Sequence, residues 1–384
     1  MAHVVFAILI TLALLLIAYT IVLVMYIRSC HATSGINGLD VQNAVPVTIV
    51  IAARNEEDNI LECVSSCLDQ DYPEDLLEVI VVDDQSEDDT YTILENQVKD
   101  SRFKLMRLGV WKRTTIVGSK KKALSYGINH AQGSMIFTTD GDCIVPRSWV
   151  RNGVAVMQNS DARIGTGPLS IAEGRGFLHH FQVLDTAVTN LIHCGGQRMH
   201  VGTLGTGANL VFYKEDFIRS NCYEDNMQIA SGDDVFLIRS LEKTHPGKSC
   251  YLKSRDSMVK TFGLRSLSAF FSQRLRWSSK MKYMKNGKLT AIAYLIFLAR
   301  WVPLTLVVVS LIFQNNVLLI AGTIALAWRW ILEFVVNLKA LDWFSTRNSL
   351  WWFFPANVFY SWYILILGVF GFLPLNLEWK DRKI

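Results

Sequence analysis

Charge is scarce in this chain: 19% of its 384 residues are Asp, Glu, Lys or Arg, while 51% are hydrophobic. A soluble globular domain carries about a quarter of its residues as charges, so a membrane protein is the first expectation. Cysteine supplies no framework either. The seven cysteines are an odd, scattered set without CxxC spacing, which points away from a zinc site or a disulfide network and toward reduced, cytosolic thiols. Two phosphate cradles are also missing. Neither GxGxxG nor GxxxxGK[ST] occurs, so dinucleotide-binding and P-loop readings lose their glycine-rich loops, and any phosphate must be held by metal and cations. No Lys or Arg precedes the first apolar run, which disfavours a cleaved signal peptide and favours a retained anchor.

What is present begins with that run. Val4 to Ile27 holds no charged residue; at about 1.5 Å per residue it makes roughly 36 Å of helix, enough to cross a hydrocarbon core. Further runs at 291–313, 317–338 and 350–373 are each long enough to span. Between them the sequence turns globular, with short β-branched runs alternating with helical stretches as an α/β sheet requires. The expected organisation is an anchor over 1–28, a catalytic domain over 46–288 ending in a basic interfacial helix, membrane helices over 289–375 and a basic tail over 376–384. The strands expected first are 47–52, 78–82, 103–108 and 135–139, with helices near 57–69, 88–99 and 120–130.

Lys260 to Lys288 carries eight Lys or Arg and no acidic residue, which by the positive-inside bias puts the globular domain in the cytosol. The same bias opposes three carboxy-terminal crossings, because they would carry Lys380, Arg382 and Lys383 outside. One run is therefore expected to be re-entrant or interfacial, with the first (Arg300, Pro303) and third (Pro355) as candidates. Arg329 and Glu333 form an i, i+4 pair that is expected to neutralise itself, whereas Arg300 has no such partner and either snorkels or steers an acceptor headgroup or product phosphate.

The strand over 79–82 ends in Asp83-Asp84 and that over 136–139 in Asp140-Gly141-Asp142. Ligands of α/β sheets bind at such carboxyl ends. Asp140 and Asp142 can share Mg²⁺ or Mn²⁺, which would bridge diphosphate oxygens and stabilise a leaving nucleotide. Lys121 and Lys122 read as an exposed helix start. Phe177 to Ile192 carries an apolar stripe at helical spacing and reads as core, and the nearby histidines show no metal-ligand spacing. In Gln273-Arg274-Leu275-Arg276-Trp277, a helix would put Gln273, Arg276 and Trp277 on one face, with Arg274 and Leu275 elsewhere.

Ala52-Ala53-Arg54-Asn55-Glu56-Glu57, Val81-Val82-Asp83-Asp84-Gln85-Ser86, Lys120-x-x-Ala123-Leu124 and Thr139-Asp140-Gly141-Asp142 resemble the ordered signatures of family-two glycosyltransferases. Gly207-Ala208-Asn209-Leu210, Ser231-Gly232-Asp233-Asp234 and the segment from Gln273 to Trp277 resemble motifs of the membrane-integrated branch, which includes cellulose, chitin and hyaluronan synthases and ceramide glucosyltransferase. The resemblance covers about residues 46–288. It implies a GT-A-like, Rossmann-like mixed α/β domain with one amino-terminal and about three carboxy-terminal membrane helices, and a hexosyl transfer from a UDP-sugar with inversion. It assigns the donor to Ala53, Glu56, Asp83, Asp84, Lys120 and Asp140, and the metal to Asp140 and Asp142. The diphosphate and acceptor fall to Gln273, Arg274, Arg276, Trp277 and Asn209. Asp234 is the implied general base, with Asp233 sharing the role.

The acceptor expected first is a lipid, because three or four spans are few to line a polymer channel. The rival is a processive polysaccharide synthase, favoured by the Gly-Asp-Asp and QxxRW letters; an inactive scaffold is the minor alternative, opposed by the complete acid set. The expected partners are the UDP-sugar, the acceptor and the bilayer, with no nucleic acid, and the expected place is a bacterial cytoplasmic membrane. The sequence leaves the donor sugar and the oligomeric state open.

Overall fold

The computed structural model describes residues 2–36, 40–109, 119–224, 232–278 and 286–370, with the backbone at 378–379 and 382–383. Helix α1 (Ala2–Ala32) comes first. Its two sides differ by partner rather than polarity: Phe6, Ile10, Leu14, Ile17 and Ile21 are exposed at spacings of three and four, while Leu12, Tyr19 and Tyr26 are buried at spacings of seven. One apolar face is left for lipid and another packs on the rest of the chain.

Four parallel strands follow: β1 (Val47–Ala53), β2 (Leu77–Asp83), β3 (Phe103–Arg107) and β4 (Met135–Asp140). They are connected through α2 (Ile60–Leu68), α3 (Thr90–Gln97) and α4 (Ser119–His130), as the sequence suggested. Strands β1 and β2 are almost wholly buried on both faces, which is why they read as continuous β-branched runs rather than alternating ones. The chain then makes β5 (Cys143–Ile144), α5 (Trp149–Asn159), β6 (Ile164–Thr166), β7 (Leu169–Ile171), α6 (Phe177–Arg198), β8 (Leu210–Tyr213) and α7 (Lys214–Ser220). The domain closes with α8 (Asp233–Thr244), β9 (Ser249–Tyr251), β10 (Val259–Thr261) and α9 (Leu267–Ser278). Seven strands form one sheet in the order β3-β2-β1-β4-β8-β6-β9. Strand β8 runs antiparallel to β4 and β6, so the sheet is mixed.

Register positions the chemistry. Ala53 lies opposite Asp83 on one side of β1, and Ala52 opposite Asp140 on the other, so three motif segments end at one sheet edge. Helix α6 carries the apolar stripe read from the sequence, and its buried Phe181, Leu184 and Leu191 do form core. That core joins the domain to the apolar helices: Phe181 meets Phe359, in the last of them, at 4.8 Å between ring centroids.

Beyond the domain run α10 (Gly287–Ile312), α11 (Asn316–Phe344) and, after a short 3₁₀ turn over Arg347–Trp352, α12 (Phe353–Phe370). With α1 these are four helices long and apolar enough to cross a membrane. The Asn286 side chain accepts from the backbone N–H groups of Lys288 and Leu289, and that of Asn315 from Leu318, so side chains satisfy the orphan donors at the starts of α10 and α11. Pro303 does not interrupt α10, which is helical on both sides of it. The expected pairing of Arg329 with Glu333 is present, with Nη1 3.7 Å from Oε1, but it is shared: the same oxygen lies 2.7 Å from Arg300 Nη2 on α10. The short distance goes to the arginine that lacked a partner in sequence, because facing helices bring the two together more closely than one helical turn does.

Candidate active site

The loops after β1 and β2 are sewn to each other. Arg54, 3% exposed, donates to the backbone carbonyls of Asp84 (3.0 Å) and Gln85 and to Glu87 Oε1 at 2.7 Å. The Asn55 N–H donates to Ser86 Oγ at 3.1 Å, and its side-chain oxygen accepts from the Glu87 N–H at 2.9 Å. Both loops turn through left-handed backbone, at Asn55 (φ 49°) and Gln85 (φ 57°). Asn tolerates that region; Gln does so at a cost that the surrounding hydrogen bonds offset. Asp83 is fully buried, 3.2 Å from Arg107 Nε, and its Oδ1 accepts from the Ser86 N–H at 3.2 Å. Glu56 reaches across to the next strand end: a Cβ on Gly141 would stand 2.9 Å from Glu56 Cγ, so glycine is what lets the first motif approach Asp140 and Asp142.

The centre of the site is Lys120, in the first turn of α4. Its Nζ lies 2.6 Å from Asp140 Oδ1 and 3.1 Å from Asp233 Oδ2. Residues 20 and 113 positions away in sequence (140 − 120 and 233 − 120) thus meet on one ammonium. Burial opposes its charge, yet Asp140 and Asp233 outweigh burial and hold its pKa above the ordinary lysine value. Asp233 and Asp234 open α8, where the helix N-terminus favours carboxylates. Asp233 is 7% exposed and Asp234 less buried, with its Oδ1 accepting from the Val235 N–H at 2.8 Å. Ser231 lies outside the described residues.

Arg276 of α9 belongs to the same group. Burial pulls its pKa below the usual guanidinium value, while Asp233, Asp140, Asp234 and Asp142 pull it upward, which places the guanidinium in the field of all four acids. Gln273 lies three residues before it, half-buried on the same helix. Gly207 sits beneath: its carbonyl accepts from Thr138 Oγ1 at 2.8 Å, and a Cβ there would stand 2.8 Å from Asp233 Oδ2 and 3.6 Å from Lys120 Nζ. Gly207→Ala is therefore expected to displace Asp233 and cut turnover about tenfold, since misplacement of about 1 Å can cost up to a hundredfold. Steady-state kinetics beside a melting curve that barely moves would separate this from loss of fold.

Two expected site residues are engaged elsewhere. Asn209, 1% exposed, accepts from Trp149 Nε1 at 2.9 Å and donates to the carbonyls of Pro168 and Ser257 at 2.9 Å each; its amide ties three segments of the domain together. Arg274, 9% exposed, pairs with Asp185 of α6 at 2.9 Å and lies 4.4 Å over the Trp277 ring. Burial pushes the Asp185 carboxyl above the usual range and Arg274 pulls it back. Lys121 is a correction. It is fully buried rather than exposed, with Nζ 4.6 Å from the centre of the Phe236 ring on α8, and Lys122 is half-buried.

The donor set suits a hard divalent ion. Donor atoms of Asp140, Asp142 and Cys143 lie within 4.8 Å of one another. The two carboxylates are hard oxygen ligands of the kind Mg²⁺ or Mn²⁺ prefers, whereas a thiol suits softer metals.

The fold is a GT-A-like mixed α/β domain carried with four apolar helices. Residues 48–204 match the family described as Glycosyl transferase family 2. The chain is 27% identical over 140 residues to "Glycosyltransferase AglE" of Haloferax volcanii, covering 34% of this chain and 41% of that protein. It is 34% identical over 109 residues to "Beta-monoglucosyldiacylglycerol synthase" of Synechocystis sp., covering 28% and 22%. It is 32% identical over 130 residues to "Poly(ribitol-phosphate) beta-glucosyltransferase" of Bacillus spizizenii, covering 34% and 20%. The matched stretch thus spans 20–41% of these relatives' length. Among solved structures the chain shares its fold with the mannosyltransferase PcManGT from Pyrobaculum calidifontis, in complex with GDP-Man and Mn²⁺. The TM-score is 0.53 at 17% identity, over 94% of this chain and 99% of that one.

Proposed function

We propose that this chain moves a sugar, with inversion, from a uridine diphosphate sugar to a lipid acceptor at the membrane face. The observation that carries the reading is Lys120 bridging Asp140 and Asp233: one cation joins the acid of the donor motif to the acid of the acceptor-side motif. The loops after β1 and β2, with Ala53, Glu56, Asp83 and Asp84, then form the nucleoside side of the cleft. Lys120 and Arg276 take the charge of the diphosphate as it leaves.

Asp140 and Asp142 would hold Mg²⁺ or Mn²⁺, which when bound neutralises the diphosphate and makes it a better leaving group. Asp234 takes the proton from the acceptor hydroxyl as that oxygen attacks the anomeric carbon and the carbon–oxygen bond to the diphosphate breaks. Its neighbour Asp233 is engaged by the Lys120 ammonium at 3.1 Å.

Two features favour lipid. Four helices are long and apolar enough to cross a membrane, and one relative is named for a glycolipid product. The basic segment over 260–288 favours a cytosolic domain. The test is to incubate membranes with labelled UDP- and GDP-sugars and follow the label. A single low-mass species in the organic phase is the expected result. A high-mass aqueous polymer would replace this reading with a processive synthase. EDTA is expected to cut the transfer about tenfold or more, with recovery on adding Mn²⁺.

A further inference from the structure

A cluster of buried charges lies among the apolar helices. Arg300 of α10 and Arg329 of α11 are 5% and 3% exposed, and Glu333 is 7% exposed. The polar groups that face them are Tyr19 of α1, whose Oη donates to Glu333 at 3.0 Å, and Asn357 and Ser361 of α12. Two guanidiniums thus share one carboxylate, which leaves one positive charge in excess at membrane depth. Such a charge is costly and by default marks either pairing or function. The pairing is incomplete. Arg300 Nε and Arg329 Nε and Nη1 are buried without a hydrogen-bond partner among the described residues.

Beside this network the helices do not close. A cleft of about 680 Å³, its open mouth included, runs between α6 and the apolar helices, lined by Asp185, Arg300, Glu333, Asn357 and Tyr360 among apolar side chains such as Ile192 and Val336. The guanidinium of Arg300 stands 4.8 Å over the Tyr360 ring. The wall toward the active site is Asp185, paired at 2.9 Å with Arg274, two residues before Arg276 on α9.

We propose that this cleft seats the phosphate-bearing headgroup of an anionic lipid, with Arg300, which lines it, as its counter-charge. A phosphate brings a single negative charge and several acceptor oxygens, which matches the excess cation and the unfilled Nε–H of Arg300. The apolar remainder of the lining suits an acyl chain rather than a free ion. That lipid is the acceptor, a step that rests on the glycosyl-transfer reading above; the binding itself does not.

The experiment uses the full chain in nanodiscs of equal parts phosphatidylcholine and phosphatidylglycerol, followed by native mass spectrometry to count retained lipids. The wild type is expected to retain phosphatidylglycerol in preference to phosphatidylcholine. Val188→Trp, which fills the cleft without touching a charge, is expected to lose it about tenfold, equivalent to about 1.4 kcal/mol. Arg300→Gln, which removes the excess positive charge and leaves Arg329 with Glu333, is expected to do the same.

Melting curves and UDP binding report whether each variant keeps its fold. Equal retention of the two lipids by the wild type, or unchanged retention in a folded Val188→Trp chain, would overturn the proposal. Displacement of phosphatidylglycerol by inorganic phosphate would overturn its lipid part. Lipid retention is read without turnover, so selective binding in a chain that transfers no sugar would leave the cleft standing and sink the acceptor assignment. Transfer by a chain with no lipid preference would sink the cleft and leave the glycosyl-transfer reading standing.

Discussion

Asp234→Asn is expected to fold, bind UDP and lose transfer by about a hundredfold to ten-thousandfold, the weight that general base catalysis usually carries. Asparagine keeps the size and the acceptor oxygen that takes the Val235 N–H at 2.8 Å, so the start of α8 should survive. What it lacks is a site for the acceptor proton. Asp233→Asn should behave differently: its carboxylate lies 3.1 Å from Lys120, so its loss should fall on donor affinity as well as on rate. If Asp234→Asn turned over at the wild-type rate while Asp233→Asn did not, the base would be reassigned to Asp233.

Lys120→Met should cost about a hundredfold in kcat/KM, with KM for the donor rising. Lys120 makes two charge-assisted contacts, at 2.6 and 3.1 Å, and hydrogen bonds to charged groups are worth about 1.5–3 kcal/mol each. Methionine keeps the stem and removes the ammonium, which leaves Asp140 and Asp233 facing the incoming diphosphate with one cation fewer. Repulsion then adds to the lost contact. Lys120→Arg should recover part of the loss through charge but not all of it, because the planar fork cannot occupy a point between two carboxylates as a compact ammonium does. Initial rates across a range of donor concentrations would show whether the cost falls on KM, as a diphosphate contact requires.

The first half of the domain was legible because its physics is local. Strands β1, β2 and β4 are β-branched runs bounded by turn residues, and their last residues, Asp83 and Asp140, announce the sheet edge. The second half was less so: β6, β7, β9 and β10 have three residues each, too few for a periodicity to emerge. Lys121 was misread because three consecutive lysines are indistinguishable in sequence. Only the placement of α8 over α4 puts one of them against Phe236 and its neighbour against Asp140 and Asp233.

The same limit governs the other differences. Asn209 sits in a motif associated with the acceptor, yet the partners that use its amide, Trp149, Pro168 and Ser257, lie 41 to 60 residues away. Nothing in the sequence joins Arg274 to Asp185, 89 residues earlier, or Arg300 to Glu333. Pairings of that kind are set by how helices pack. Lys120 with Asp140 and Asp233 is equally long-range; it was readable only as separate motifs, each with its own expected contact, and the structure brings them to one point.

Nucleotide affinity tests the central claim most directly. Calorimetric titration of the purified chain with UDP and with GDP, in Mn²⁺ and in EDTA, should show one diphosphate binding, more tightly with metal, and a metal effect that disappears when Asp140→Asn and Asp142→Asn are combined. A chain that bound neither diphosphate, or bound one equally in EDTA and in the double variant, would contradict the account of this cleft as a metal-assisted sugar-nucleotide site.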